Sequence, residues 1–528
     1  MKLFFLFAFG LCLAASAQTS QAPHLTREGS NTALIVDGKP FLMFAAELHN
    51  SSSSSLDYMK PEWPHLASIP LNTVLTPLSW ELIEPQEGKY DFTFIDGLIQ
   101  GARANKLHIV FLWLASWKNG MSSYPPGWIK ADTHRFPRVI EDDGREVEIL
   151  STFGSQTMQA DAHAFAAVMR HIREVDSQDH TVLMMQVENE VGVLGDTRDR
   201  SAAANKAFES PVPSELTAYL NHHRQELFPA LRELWDANGS RTSGTWQQVF
   251  GNTYRTDEIF MAWNYSRYIN YVASAGKAEY QLPMYVNTWL AGTTTPPGDY
   301  PSGGPQPRVI DVWKAAGSAI DIYSPDIYAP NFAQWCEWYH HAGNPLWIPE
   351  AAGSATGQAN AFYAFGNGAI GFSPFGIDSW NDSSNDLGKS YHVLQQLGPL
   401  ITSHEGEAMK GFLLDQASPT TIIDMNGYQL TVTLDEIFGS RASKGYGLII
   451  ATGPNEFIGA GSGYRVSFIP RSPGAPHAGI GYIEEGSFAD GQWTPGRRLN
   501  GDENDQGKFW RFSPQGVEIE KVVVYRYE

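Results

Sequence analysis

Cysteine is almost absent from this chain: of 528 residues only Cys12 and Cys336 are cysteine. Cys12 falls in a leading segment treated below, so Cys336 stands alone. That excludes an intramolecular disulfide and a cysteine-built metal site, and leaves Cys336 a packing role. Basic residues are also scarce, 37 Lys and Arg against 57 Asp and Glu, for a formal net charge of -20. An acidic surface repels phosphate backbones and anionic membranes, so nucleic acid is excluded as a partner. No apolar run is long enough to be read as a transmembrane span, and no membrane insertion is expected. No strand candidate is followed by a glycine-rich phosphate loop, which argues against a dinucleotide-binding open sheet. His49 and His108 lack partners at metal-ligand spacing, so no metal is expected, and no cofactor. Without staples the fold must rest on a large core, and the length allows about two to four domains.

The chain opens with Lys2, an apolar stretch from Leu3 to Ala15, and the small residues Ala15-Ser16-Ala17. This is the pattern of a secretory signal peptide, with cleavage expected after Ala17 and a periplasmic or extracellular destination. Cys12 follows Phe9-Gly10-Leu11, a poor lipoprotein signal. The chain is aromatic, with Trp 16, Tyr 22 and Phe 28. Indole faces stack on sugar C–H surfaces and acidic groups bind hydroxyls, so the composition suits carbohydrate, although large cores also use aromatics.

Short apolar strands alternate with helical patterns along most of the chain. The strand candidates are Phe41–Ala46, Thr73–Thr76, Ile109–Leu114, Val182–Val187, Met284–Thr288, Ile320–Tyr323, Leu346–Pro349 and Ala369–Phe372. Helices are expected over Asp91–Ala104, Met158–Val175 and Pro213–Ala237. Eight strands in such alternation predict a (β/α)8 barrel. Ahead of them, Ala33–Val36 and Phe41–Phe44 flank Asp37-Gly38-Lys39-Pro40 as a hairpin. Beyond Glu405-Gly406-Glu407 the strands become short, alternating and separated by Gly, Pro, Asn and Asp. This predicts an all-β sandwich, giving a leader over 1–17, a barrel over 18–405 and a β-domain over 406–528.

In such a barrel the reactive groups lie at the C-terminal strand ends. Gln186-Val187-Glu188-Asn189-Glu190-Val191-Gly192 ends the fourth strand, and Glu350 ends the seventh. Charges at the end of a buried strand need a reason, because an unpaired carboxylate there is costly. Two carboxyl groups facing each other are what glycoside hydrolysis needs: one protonates the leaving oxygen, the other attacks the anomeric carbon or activates water. Glu190 and Glu350 are the candidates, with Glu188 an alternative acid deeper in its strand. Asn189 is a candidate for the 2-hydroxyl, and Glu47, at the first strand end, for other hydroxyls. Trp80, Trp113, Trp289 and Trp380 are candidates for a sugar platform, and Tyr328 for orienting Glu350.

Leu71-Asn72-Thr73-Val74 through Trp80-Glu81-Leu82-Ile83-Glu84-Pro85-Gln86-Glu87-Gly88-Lys89-Tyr90-Asp91-Phe92, together with Gln186 to Gly192, resembles the family 35 β-galactosidases of glycoside hydrolase clan A. That family reads N-T-V, then W-N-x-H-E-P-x-x-G-x-Y-x-F, and Q-V-E-N-E-Y-G. The resemblance implies a retaining exo-β-galactosidase with Glu190 as acid/base, Glu350 as nucleophile and Asn189 on the 2-hydroxyl. There are departures. Trp80-Glu81 replaces W-N, Ile348-Pro349-Glu350 replaces N-S-E, and Ala115-Ser116-Trp117 replaces A-E-W, which removes a carboxylate that would bind galactose hydroxyls. They point to a divergent bacterial branch acting on oligosaccharides or plant polysaccharide side chains such as those of xyloglucan. The rival readings are another retaining β-glycosidase (glucosidase, xylosidase or arabinosidase) and a non-catalytic carbohydrate-binding protein.

Overall fold

The computed structural model describes residues 21–29, 31–353, 355–380, 386–404, 406–437, 439–489 and 491–528. The expected leader over 1–17 lies outside them. Eight parallel strands close into a barrel: β1 (Met43–Glu47), β2 (Thr73–Ser79), β3 (His108–Lys118), β4 (Val182–Asn189), β5 (Met284–Trp289), β6 (Ile322–Ile327), β7 (Trp347–Ala351) and β8 (Gly371–Pro374). The β8–β1 pairing Gly371↔Met43 seals the ring. The apolar runs of the sequence form these strands because both faces are covered, so neither face needs polar residues.

Strand β3 shows the rule. Val110, Leu112 and Leu114 point into the barrel, where they meet Leu75, Leu183 and Tyr285. Ile109, Phe111 and Trp113 point out to the helices. This two-residue alternation decides which strand residues can line a mouth and which are core. Leu34 and Val36 of the N-terminal strand Asn31–Val36 pack on the same interior cluster, plugging the barrel's N-terminal end. The hairpin there is tighter than expected. Asp37 and Gly38 alone make the turn, with φ of 51° and 75°, the two-residue geometry that favours Asp-Gly. Its return strand is Lys39–Phe41, and Phe44 belongs to β1.

The single helix expected over Pro213–Ala237 is instead two, Ser214–His222 and Pro229–Ala237. Pro229 has no N–H to donate backward and starts the second helix at its first turn. The longest helix, Tyr254–Glu279, buries residues on several faces, so its sequence carries no amphipathic stripe to read. It packs on the helix Ser155–Asp176, where a side chain in place of Gly276 would collide with Phe165 and Met169.

Two antiparallel sheets follow, sharing a core of Phe412, Leu430, Val432, Phe457, Tyr464 and Trp510. The six-stranded sheet runs Met409–Asp415, Lys444–Gly453, Glu456–Ser462, Glu518–Tyr527, His477–Ala489, Gln492–Leu499. The four-stranded sheet runs Thr420–Met425, Tyr428–Leu434, Tyr464–Pro470, Trp510–Phe512. Glycines interrupt Glu456–Ser462 and His477–Ala489 and break the regularity of their patterns. Gly366 in the helix Ala355–Gly366 meets Gly411 with no room for a side chain, so the β-part seats directly on the barrel's outer layer.

Candidate active site

The C-terminal end of β4 leaves extended geometry twice. Glu188 and Glu190 have φ of 63° and 44°, a region that non-glycine residues rarely enter. Their side chains thereby part company. The Glu188 carboxylate accepts the backbone N–H of Ser116 (3.1 Å) and of Trp117 (2.7 Å) and is fully buried against Asp161. Asp161 in turn accepts from the Trp113 indole (2.9 Å) and the Ser116 hydroxyl (2.6 Å). Here the β3–β4 register slips, from Trp113↔Val187 to Lys118↔Asn189, and the Glu188 carboxylate stands in for the missing ladder bonds.

The slip ends in a tight turn, Lys118 to Met121, with Asn119 and Gly120 both at positive φ. It brings Asn119 against the end of β4: the Asn119 backbone N–H reaches Asn189 O at 3.2 Å, and its side-chain amide donates to Glu190 Oε2 at 2.7 Å. On the other side, Asn287 of β5 accepts the Glu190 N–H (2.9 Å) and donates to Asp326 of β6 (2.7 Å). The Asp326 carboxyl lies within hydrogen-bonding reach of Glu190, so the pair has room for one shared proton. At β7, Glu350 accepts the Tyr328 hydroxyl at 2.5 Å.

Glu47, Glu190, Glu350 and Asp326 are each under a tenth exposed, at 2%, 7%, 8% and 2%. Burial raises all four pKa values above the ordinary carboxylate range. Glu190 is pushed to about 7, first by burial and then by the Glu350 charge, against the opposing pull of Lys118. Glu350 is raised by burial, offset by Lys118 and by its bond from Tyr328. Burial and the Glu350 charge thus favour the protonated form of Glu190, while Lys118 and the Tyr328 hydroxyl favour the ionised form of Glu350.

The sequence candidates divide accordingly. Glu190, Glu350, Glu47 and Tyr328 come together, and Asn189 stands beside them, 1% exposed with its side-chain oxygen lacking a donor among the described residues. Trp289 is 42% exposed at the end of β5, and Trp380 lies half-buried with its ring over Gly353. Trp80 and Trp113 are not platform residues. Both are fully buried in the layer between barrel and helices, with their indole N–H groups given to Glu84 and Asp161. For Trp113 the alternation along β3 decides this. Ser116 is likewise turned away from the mouth, onto Asp161 and the Tyr268 hydroxyl.

Sequence reasoning missed Lys118, Asn119, Asn287 and Asp326 as site residues. Asn119-Gly120 is a tight-turn dipeptide directly after β3, a signal that would have placed Asn119 at the mouth. Asn287 and Asp326 were visible only as strand ends.

Carboxyl groups gathered at the C-terminal mouth of a closed parallel barrel lie where such barrels carry their active sites, and sequence comparisons point to similar proteins. Residues 62–264 match the glycoside hydrolase 42 family model, described as beta-galactosidase, and residues 387–511 match a domain of unknown function, DUF5597. The chain is 26% identical to a beta-galactosidase of Xanthomonas manihotis over 197 residues, 36% of this chain and 30% of that protein. It is also 26% identical to beta-galactosidase 11 of Arabidopsis thaliana over 168 residues, 27% of this chain and 19% of that one. The matched region thus spans less than a third of either relative. Among solved structures, a beta-galactosidase from the psychrophilic Marinomonas ef1 aligns with a TM-score of 0.47 at 11% identity, over 68% of this chain and 60% of that one. The catalytic domain of a Paenibacillus polymyxa beta-amylase aligns at 0.46 and 13%, over 67% and 98%. Residues 62–264 are therefore similar in sequence to a beta-galactosidase family model.

Proposed function

We propose that this protein is a retaining exo-β-galactosidase that removes terminal β-linked galactose by double displacement. One observation carries the reading: Glu190 and Glu350 are both buried at the strand ends of one barrel mouth, Glu190 beside Asn119 and Glu350 bonded by the Tyr328 hydroxyl. The Glu350 carboxylate attacks the anomeric carbon while Glu190 gives its proton to the departing oxygen, and the glycosidic C–O bond breaks. Glu190, now ionised, takes a proton from water. The water oxygen bonds to the anomeric carbon, the ester bond to Glu350 breaks, and both carboxyls return to their starting states. Asn119 and Asp326 hold the acid/base, Tyr328 holds the nucleophile, and Asn189 receives the 2-hydroxyl. Trp289 and Trp380 are the aromatic surface for the sugar and its aglycone, with Glu47 a further sugar ligand.

The Trp80 to Phe92 block and the Gln186 to Gly192 segment favour a divergent family 35 branch, and Leu3 to Ala17 favours export. Galactose side chains of plant polysaccharides such as xyloglucan suit an exported enzyme. A panel of nitrophenyl β-glycosides tests the substrate. The galactoside should be turned over fastest, and no turnover of it, with good turnover of the glucoside, xyloside or arabinoside, would reject the sugar assignment. Proton NMR of the first-formed product tests the stereochemistry: β-galactose must precede the α anomer.

The rate should fall above about pH 7, as Glu190 loses its proton, and again in acid as Glu350 gains one. Stability moves with the same group. The folded pKa of Glu190 lies above its ordinary 4.5, so its contribution is whole below 4.5 and is lost as pH rises through about 7. A rate profile flat across pH 7 for a substrate with a poor leaving group would exclude Glu190 as the acid.

A further inference from the structure

Of the carboxyls at the mouth, Glu47 has no task in the chemistry above, yet it is the one most firmly placed. Its main chain is pinned on both sides: Gly376 donates to its carbonyl at 2.8 Å, and Leu48 next to it donates to Leu75 of β2 at 3.1 Å. Its side chain is 2% exposed, and among the described residues Oε1 has no hydrogen-bond partner. A buried carboxyl oxygen without a donor costs free energy, so a site that keeps one is built for a donor arriving from outside. Lys118, Glu190 and Glu350 all lie within electrostatic reach of it, which puts Glu47 on the same cavity as the two reacting carboxyls.

From this placement we infer that Glu47 is the specificity residue of the site, gripping the 4-hydroxyl of the bound galactose together with one adjacent hydroxyl. The inference rests on the proposed retaining β-galactosidase reading. In the closed ring of strands β1 lies two positions from β7 and three from β4, so Glu47 approaches the sugar from a side shared with neither Glu350 nor Glu190. It is also less exposed than either of them, 2% against 7% for Glu190 and 8% for Glu350. With the anomeric carbon held between Glu190 and Glu350, a group on a third wall faces the far side of the six-membered ring, where the carbon diametrically opposite is C4. A carboxyl group has two oxygens and can take two neighbouring hydroxyls at once. Ser116 on β3 offers no competing contact, since its hydroxyl is committed to Asp161 and Tyr268.

The test compares kcat/KM of the wild type, Glu47→Ala and Glu47→Gln on nitrophenyl β-galactoside and on its 3-, 4- and 6-deoxy analogues. The wild type should discriminate against the 4-deoxy analogue by roughly 10- to 100-fold, the cost of leaving a buried polar group unpaired. In Glu47→Ala that discrimination should vanish, the galactoside falling to the level of its 4-deoxy analogue. Glu47→Gln, which keeps the shape and one acceptor, should show an intermediate ratio, and it serves if the alanine variant fails to fold. An equal loss on every substrate, with the 4-deoxy ratio unchanged, would overturn the inference and make Glu47 a remote influence on the reacting pair. Equilibrium binding of a galactose-configured iminosugar and its 4-deoxy counterpart needs no turnover. If it shows the same Glu47 dependence in a protein that cleaves no galactoside, the double-displacement reading fails while the Glu47 contact stands.

Discussion

Glu350→Ala should lower kcat by on the order of 10⁵-fold or more, because removing a nucleophile deletes the covalent route altogether. The fold should survive. Glu350 carries a pKa raised by burial, so its removal relieves a desolvated carboxylate, and thermal unfolding above pH 7 should shift upward or stay in place. The variant makes a second, stereochemical statement. Azide fits the space the carboxylate leaves and attacks the anomeric carbon from the same face, opposite the leaving group. Rescue should therefore yield α-galactosyl azide. A variant that keeps more than about a hundredth of wild-type turnover on an activated aryl galactoside would remove Glu350 from its role.

Glu190→Ala should behave differently with each leaving group. General acid catalysis contributes about 10²- to 10⁴-fold, and a natural sugar aglycone, a poor leaving group, should lose that full factor. A dinitrophenyl galactoside needs no proton to depart, so its glycosylation step should be nearly unchanged and the glycosyl-enzyme should accumulate. Azide should then attack that intermediate from the face vacated by Glu190 and give β-galactosyl azide, the anomer opposite to that from the Glu350 variant. The decline in rate above pH 7 should disappear with the side chain, since the proton lost there belongs to Glu190. If Glu188 were the acid instead, Glu190→Ala would keep that decline and give no β-azide. The burial of Glu188 beneath β3, with both its oxygens taken by the backbone of Ser116 and Trp117, argues against that alternative.

The two candidate carboxyls and the barrel that carries them were legible in the sequence for one reason. A parallel barrel strand is apolar along its whole length, so Glu190 and Glu350 stand out at the ends of Val182–Asn189 and Trp347–Ala351. The same reasoning overreached at Trp80 and Trp113. A residue near a strand end reaches the mouth only if the alternation points it inward, and at Trp113 it points outward. Asn119, Lys118 and Asp326 went unread because their relation to Glu190 is not local. Asn119 lies 71 residues from it and meets it only through the slipped β3–β4 register.

By itself, then, the sequence determined the class of fold, the acidic character of the chain, and the choice of the candidate acid and nucleophile. Those properties depend on composition and on short-range patterning, which any chain displays before it folds. Only the tertiary structure decided which neighbours surround those carboxyls. Burial, the Lys118 charge, the Asn119 and Tyr328 donors and the placement of Glu47 all arise from residues far apart in the chain. Protonation and hydroxyl recognition are set by such neighbours over a few ångströms, and the distances exist only once the barrel has closed.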